Sequence, residues 1–257
     1  MRRAAIIAAA GCSARFRRSV GRDVLKVLYY EQEPKECLLS RQLDLLTATD
    51  FAHVVIVGGY NFQALEQFIR QYHAEDQRIS LVYNGQYEEF GTCFTFACGL
   101  NALELSRIDQ VVLIEGDLFF ERDDFQEIVA AESDVITANS ELICADKSVV
   151  FYIAQDNKIF YTYDTAHRQL RVDAPFSVMG NSGQVWKFCD PLLLANIVNG
   201  LGSAGCSDTN LLPIEQYLNV RGINQAKVVK FGSWFNCNTI DDFHAIVDYL
   251  RKKQVGH

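Results

Sequence analysis

Ala4-Ala5-Ile6-Ile7-Ala8-Ala9-Ala10-Gly11-Cys12-Ser13-Ala14-Arg15 is the stretch that decides the fold. Ala4–Ala9 is a continuous run of apolar, mostly small residues, the pattern of a strand buried on both faces of a parallel sheet. Gly11 and its small neighbours then let backbone N–H groups come close to an anionic ligand. Arg15 can hold phosphate oxygens in a bidentate fork. The competing reading is a tight strand-to-loop turn with a solvent-facing arginine. No GxxxxGK[ST] loop and no GxGxxG fingerprint occurs.

Outward from this segment, strand and helix signals alternate. Apolar spacing predicts helices over 38–49, 62–72, 92–105 and 123–131, and strands over 54–57, 79–83 and 110–114. That order predicts a parallel sheet covered by helices, with ligands at the carboxyl ends of its strands. The loops 11–15, 58–60, 84–92 and 115–117 all lie at such ends. After about residue 133 the character changes. Residues 148–154 and 158–163 flank the polar turn Gln155-Asp156-Asn157, a hairpin signature. Helices are expected over 190–199, 211–218 and 240–252, the last capped by Thr239 or Asn238, and a strand over 228–231.

Composition narrows the function classes. The 257 residues are 49% hydrophobic and 22% charged, ordinary for a globular chain. The net charge of −8 argues against a nucleic-acid partner. No stretch approaches the roughly 20 apolar residues of a membrane span. The short apolar run after Arg2 and Arg3 reads as a strand feeding a loop rather than a signal peptide. The eight cysteines form no CxxC pair and show no zinc spacing, so thiols in a reducing cytoplasm are expected.

Two further positions carry chemistry. Pro34 fixes the entry to a helix and is expected to set Lys35 beside the Gly11 loop. A lysine there can neutralise charge growing on a phosphoryl group, whereas elsewhere it is a solvated surface residue. Asp117 follows a buried strand and Gly116, a place where a carboxylate can hold Mg²⁺ alongside substrate phosphates. Glu115 is expected to face the other side of the strand end, in a structural role. The histidines show no ligand spacing.

Taken together, these segments resemble the GT-A-like nucleotidyltransferases. The opening is similar to that family's (L/A)AAG-x-(G/S)-x-R followed by PK-x-LL. Val54-Val-Ile-Val-Gly-Gly-Tyr60 resembles its VVxGY, and Leu113-Ile-Glu-Gly-Asp117 its metal-binding xxGD. Trp234-Phe-Asn236-Cys-Asn238-Thr239-Ile-Asp-Asp242-Phe resembles its WxxIDTxEDL. Asn84-Gly-Gln-Tyr-Glu-Glu-Phe-Gly-Thr92-Cys-Phe-Thr95 looks most like the phosphocholine and 2-aminoethylphosphonate cytidylyltransferases.

The resemblance implies an α/β fold of Rossmann-like (GT-A-type) kind: a mostly parallel mixed sheet flanked by helices, with an acceptor-binding insertion in the second half. A single domain over 1–257 would divide into a nucleotide-binding half, 1–132, and an acceptor-binding half, 133–257. The implied ligands are CTP, Mg²⁺ and a small phosphorylated or phosphonate acceptor. Ala8, Ala10, Gly11, Cys12, Ser13, Gly59, Asn84 and Thr92 would contact the nucleotide. Arg15 would bind the β- and γ-phosphates and Lys35 the α-phosphate, while Asp117 with Asn238 or Asn236 would hold Mg²⁺.

The chain departs from the family at two places. Asn238 stands where many relatives carry an acidic metal ligand, with Asn236 two residues before it. The long segment 16–33, with Arg17, Arg18, Arg22 and Lys26, reads either as a lid over the triphosphate or as a charged surface excursion. A cationic acceptor would call for an aromatic cage drawn from Tyr152, Tyr161, Tyr163, Phe176, Trp186 and Trp234. Its carboxylate would come from Asp164, Asp208 or Glu215. A sugar-1-phosphate nucleotidyltransferase and a catalytically weak, nucleotide-binding regulatory protein are the rival readings.

Overall fold

A computed structural model describes residues 1–145, 147–163, 169–202 and 209–255. The first strand, β1 (Arg3–Ala9), pairs in parallel with β2 (His53–Gly58) on one side and β4 (Gln110–Glu115) on the other. β3 (Ile79–Tyr83) extends the sheet in parallel beyond β2. Ala5 and Ile7 face one core and Ala4 and Ile6 the other, so the strand is apolar throughout because both of its faces are covered.

The helices divide between those faces. Leu39, Leu43 and Leu46 of α2 (Leu38–Thr47) and Leu65, Phe68 and Ile69 of α3 (Phe62–Tyr72) fill the first core. Phe96 and Leu100 of α4 (Thr92–Asn101) lie in the second. On the first face, α5 (Arg122–Ala130) follows the short strand β5 (Leu118–Phe120). The second core is completed by Leu194 and Val198 of α6 (Pro191–Gly200) and Ile214 and Tyr217 of α7 (Leu211–Arg221).

The second half of the chain joins the same sheet. β6 (Asp134–Asn139) pairs in parallel with β10 (Ala226–Lys230). Between β6 and β4 runs β9 (Phe176–Phe188), antiparallel to both, giving the order β10-β6-β9-β4-β1-β2-β3. The near end of β9 pairs with β7 (Val150–Ala154), which forms a hairpin with β8 (Ile159–Thr162). Asn157 takes the left-handed conformation in that turn, a role asparagine fills readily.

The segment 16–33 packs into the fold through its apolar residues and Lys26, so it is not a charged surface excursion throughout. α1 (Ala14–Val20) buries Phe16, and Leu25, Val27 and Tyr29 are buried too. Phe16 and Tyr29 pack with Phe119, Cys237, Phe243 and Ile246 into a third cluster. That cluster joins β5, its antiparallel partner β11 (Trp234–Asn236) and the terminal helix α8 (Ile240–Val255). Arg18 and Arg22 remain exposed. Among the described residues no helix is long and apolar enough to cross a membrane.

At the end of the sheet opposite the carboxyl ends of its parallel strands, buried Asp134, the first residue of β6, ties several elements together. Its Oδ1 accepts from the Tyr217 hydroxyl at 2.8 Å and the Cys189 N–H at 2.6 Å, and its Oδ2 from Arg221 Nε at 3.1 Å. Removing one member of such a network leaves the others desolvated without a partner. Asp134→Ala is therefore expected to lower the unfolding free energy by about 3 kcal/mol. Urea denaturation measures this, and a loss within about 0.5 kcal/mol, the range of ordinary surface changes, would contradict it.

Candidate functional site

The carboxyl ends of β1 and β4 are locked together. Gly116 N–H donates to Ala8 O at 2.9 Å, and a Cβ at Gly116 would lie 2.7 Å from that same oxygen, so only glycine fits. Tyr60 N–H donates to Ala10 O at 3.2 Å. A Cβ at Gly59 would come within 2.7 Å of Ala10 O and 2.6 Å of Tyr87 Cβ. Ser13 adopts a left-handed backbone, φ 53°, and its Oγ accepts from Lys26 N–H at 3.2 Å. The loop after β1 thus holds the start of the 26–28 turn directly against itself.

A second junction brings the far end of the chain to the same place. β11 pairs with β5 so that Asn236 lies opposite Leu118, and Cys237 N–H donates to Asp117 O at 2.8 Å. Thr239 and Asp242 cap α8 reciprocally: Asp242 Oδ2 accepts from Thr239 N–H at 2.7 Å, and Thr239 Oγ1 from Asp242 N–H at 3.3 Å. The same Asp242 oxygen accepts from Asn238 N–H at 2.8 Å, fixing that residue's backbone.

The polar side chains then converge. Lys26 Nζ donates to Asp117 Oδ2 at 2.7 Å and to Asn238 Oδ1 at 3.2 Å. Arg15 Nη2 donates to the same Asn238 oxygen at 3.0 Å, and Asn238 Nδ2 donates to Asn236 Oδ1 at 2.6 Å. Asp117, Asn236, Asn238 and Arg15 border a cavity of about 300 Å³. Arg15 and Asn238 also border a smaller hollow beside Cys12, Ser13 and Lys26.

Several expectations from the sequence are corrected here. Lys35 does not stand beside the loop: its side chain is 77% exposed and pairs with Glu33 at 2.7 Å. Lys26, 15% exposed, occupies the position expected of it. The missed signal was Val24-Leu25-Lys26-Val27-Leu28, a single charge in an apolar run whose neighbours Leu25 and Val27 are buried. Glu115 is not turned away. It lines the cavity, accepts from Asn210 Nδ2 at 2.7 Å, and has its pKa pushed up to about 7 by burial and then by the Asp117 charge. Asn84 is fully buried, donating to Thr95 Oγ1 at 3.0 Å and accepting from Gln86 N–H at 2.9 Å. Its side chain therefore shapes the 84–86 loop and does not reach into the cavity.

Of the other expected nucleotide contacts, Thr92 lines the cavity, Cys12 and Ser13 line the smaller hollow, and Gly11 is exposed. Ala8 and Ala10 contribute carbonyls to the two loop junctions. The aromatic side chains do not gather into a cage. Trp186 and Tyr163 line the cavity and Trp234 a neighbouring one of about 290 Å³. Tyr152, Tyr161 and Phe176 line neither. Glu215 is committed to Tyr161 N–H at 2.9 Å, while Asp164 and Asp208 lie outside the described residues.

A family model described as a domain of unknown function (DUF6564) matches residues 22–250. No curated protein matches the sequence. Among solved structures, the inositol-1-phosphate CTP transferase from T. maritima is 19% identical, with a TM-score of 0.66 over 94% of this chain and 91% of that one. The CTP:phosphocholine cytidylyltransferase from Streptococcus pneumoniae is 16% identical, with a TM-score of 0.68 over 97% and 100%. A UDP-glucose pyrophosphorylase complexed with UDP-glucose is 11% identical, with a TM-score of 0.71 over 98% and 100%. The chain belongs to the DUF6564 family, and its fold is that of the GT-A-like nucleotidyltransferases.

Proposed function

We propose that this protein transfers CMP from CTP to a small phosphorylated or phosphonate acceptor, with Mg²⁺, releasing pyrophosphate. One observation carries this reading: Arg15, Lys26, Asp117, Asn236 and Asn238 converge where β1 and β4 end, at the edge of a cavity large enough for a small substrate. The similarity to two CTP-using enzymes supports the choice of nucleotide.

The donor set fits Mg²⁺. Asp117 Oδ2 and Asn238 Oδ1 already point at one cation, the Lys26 ammonium, at 2.7 and 3.2 Å. Both are hard oxygen donors, and Asn236 adds an amide beside them. Among the described residues no group of three His, Cys, Asp or Glu side chains forms a metal cage. The arrangement suits Mg²⁺, which is commonly held by one or two carboxylates together with substrate phosphates and water. The ion's contribution is to neutralise phosphate charge and orient the triphosphate.

The chain's own residues do the rest. Arg15 grips the β- and γ-phosphates, which become the leaving pyrophosphate. Lys26, held in place by Ser13 and Asp117, sets its ammonium against the α-phosphate, where negative charge grows as the acceptor oxygen attacks in line. No covalent intermediate on the protein is required. A reducing cytoplasm is part of the proposal, and the free thiols of Cys12, Cys37, Cys144, Cys189 and Cys237 support it.

The sequence resemblance supports choline phosphate, ethanolamine phosphate or 2-aminoethylphosphonate as acceptor. A specific observation favours a second reading, a sugar or polyol phosphate. Glu115, Gln184, Asn210 and Tyr163 present polar side chains to the cavity, and Lys147 adds a cation. That lining suits hydroxyl groups better than a quaternary amine.

A pyrophosphate-release screen of the four NTPs against amine-bearing and sugar phosphates tests the proposal. CTP with at least one small phosphorylated acceptor is expected to give turnover, and the acceptor with the highest kcat/KM selects between the two readings. Absence of pyrophosphate release for every pair would overturn it.

A further inference from the structure

The turn that carries Asp117 is held from behind by a side chain with no place in the chemistry above. Gln42, on α2, is 2% exposed. Its Nε2 donates to Glu115 O at 3.0 Å and to Leu118 O at 2.9 Å. One carboxamide therefore spans the whole Glu115-Gly116-Asp117-Leu118 turn and uses both of its N–H bonds to do so. The amide orientation follows from the chemistry, because flipping it would set Oε1 against two carbonyl oxygens.

Two further backbone groups of the turn are also engaged. Gly116 N–H donates to Ala8 O at 2.9 Å, and Asp117 O accepts from Cys237 N–H at 2.8 Å. The main chain is pinned to β1, β11 and α2, and the Asp117 side chain is left to face Lys26. Gln42 Oε1, meanwhile, is buried without a hydrogen-bond partner. A buried orphan acceptor is destabilising, so this residue is a poor choice for stability alone. Sites that break a local rule in this way are often functional.

We propose that Gln42 is a positioning residue for cation binding: its carboxamide sets the Glu115–Leu118 turn so that the Asp117 carboxylate meets the amide oxygens of Asn236 and Asn238. This rests on the reading of Asp117 as a Mg²⁺ ligand. Gln42 touches no substrate and acts only through the turn.

The test compares Gln42→Met, which removes both donors at similar volume, with Leu46→Ala, which opens a core hole one helical turn away. Gln42→Leu stands in if the Met variant does not fold. Gln42→Met is expected to raise the half-saturating Mg²⁺ concentration about tenfold or more, as loss of outer-shell support does at other metal sites. Its kcat at saturating Mg²⁺ should stay near wild type, as should its KM for the acceptor. Leu46→Ala is expected to melt earlier with no change in Mg²⁺ dependence. An unchanged Mg²⁺ dependence in Gln42→Met, or an equal shift in both variants, overturns the proposal. So does failure of both Gln42 variants to fold, since the residue is then purely structural.

If the wild-type protein turns over no NTP, the catalytic reading fails separately, and Mn²⁺ binding followed by electron paramagnetic resonance decides the Gln42 claim. Weaker Mn²⁺ binding in Gln42→Met than in wild type and Leu46→Ala supports it. Equal binding in all three, or no Mn²⁺ binding by the wild type, overturns it.

Discussion

Lys26→Ala is expected to lower kcat by about 10²–10³-fold with little change in CTP affinity, while Lys35→Ala stays near wild type. The two lysines differ in setting, not in charge. Lys26 is mostly buried, anchored through its own backbone N–H to Ser13 Oγ, and its ammonium lies between Asp117 and Asn238. A cation held in place before reaction needs no reorganisation as charge develops on the α-phosphate, which is why such contacts act on kcat. Lys35 is exposed and paired only with Glu33, and an exposed ion pair of that kind contributes about 0–1 kcal/mol. Steady-state kinetics on both variants make the comparison. Near-normal turnover in Lys26→Ala, or a large loss in Lys35→Ala, would return the role to the lysine first read from the sequence.

Asp117→Asn should remove Mg²⁺-dependent activity at ordinary Mg²⁺, by more than the 10–100-fold typical of an outer-shell change. The fold should survive, because the turn is held by its backbone: Gly116 to Ala8, Asp117 O to Cys237, and both end carbonyls to Gln42. The amide keeps an oxygen donor but loses the negative charge that draws a hard cation. Asn238→Asp works in the opposite direction. Its oxygen lies against Arg15 and Lys26, and a carboxylate there adds the negative charge that draws a hard cation. The half-saturating Mg²⁺ concentration should fall in that variant. Full activity of Asp117→Asn at ordinary Mg²⁺ would place the metal elsewhere.

The sequence was readable where one element reports on itself. The apolar run of β1 needs no partner to be recognised, and the expected limits of the 62–72 helix and the 79–83 strand coincide with α3 and β3. β9 was not anticipated, because Gly180-Asn181-Ser182-Gly183 looks like a turn. Those glycines serve packing instead. A Cβ at Gly180 would strike the Phe151 ring, and one at Gly183 the Phe231 ring. β5 and β11 are three residues each and exist only as a pair, so neither has a local signature.

The site was legible in outline and wrong in detail for the same reason. Arg15, Asp117, Asn236 and Asn238 sit together as expected, since each adjoins a motif. The catalytic lysine position was assigned to Lys35 because Pro34-Lys35 matches the family-like pattern, whereas Lys26 lies in the 16–33 segment where the chain departs from it. The apolar residues flanking Lys26, Leu25 and Val27, acquire meaning only when they enter the first core, while Phe16 and Tyr29 pack against α8. Residues 115 and 117 share a side, as strand alternation puts residues two apart, and the partner that holds Glu115 at the cavity is Asn210, far along the chain.

Label transfer tests the central claim most directly. The protein is incubated with Mg²⁺, an acceptor active in the pyrophosphate screen, and CTP labelled at either its α- or its γ-phosphorus. Attack at the α-phosphorus puts the α-label in a CDP-linked product and the γ-label in pyrophosphate, one for one. A γ-label on the acceptor would mean phosphoryl transfer instead, and tight CTP binding with no transfer of either label would leave a nucleotide-binding protein without the activity proposed here.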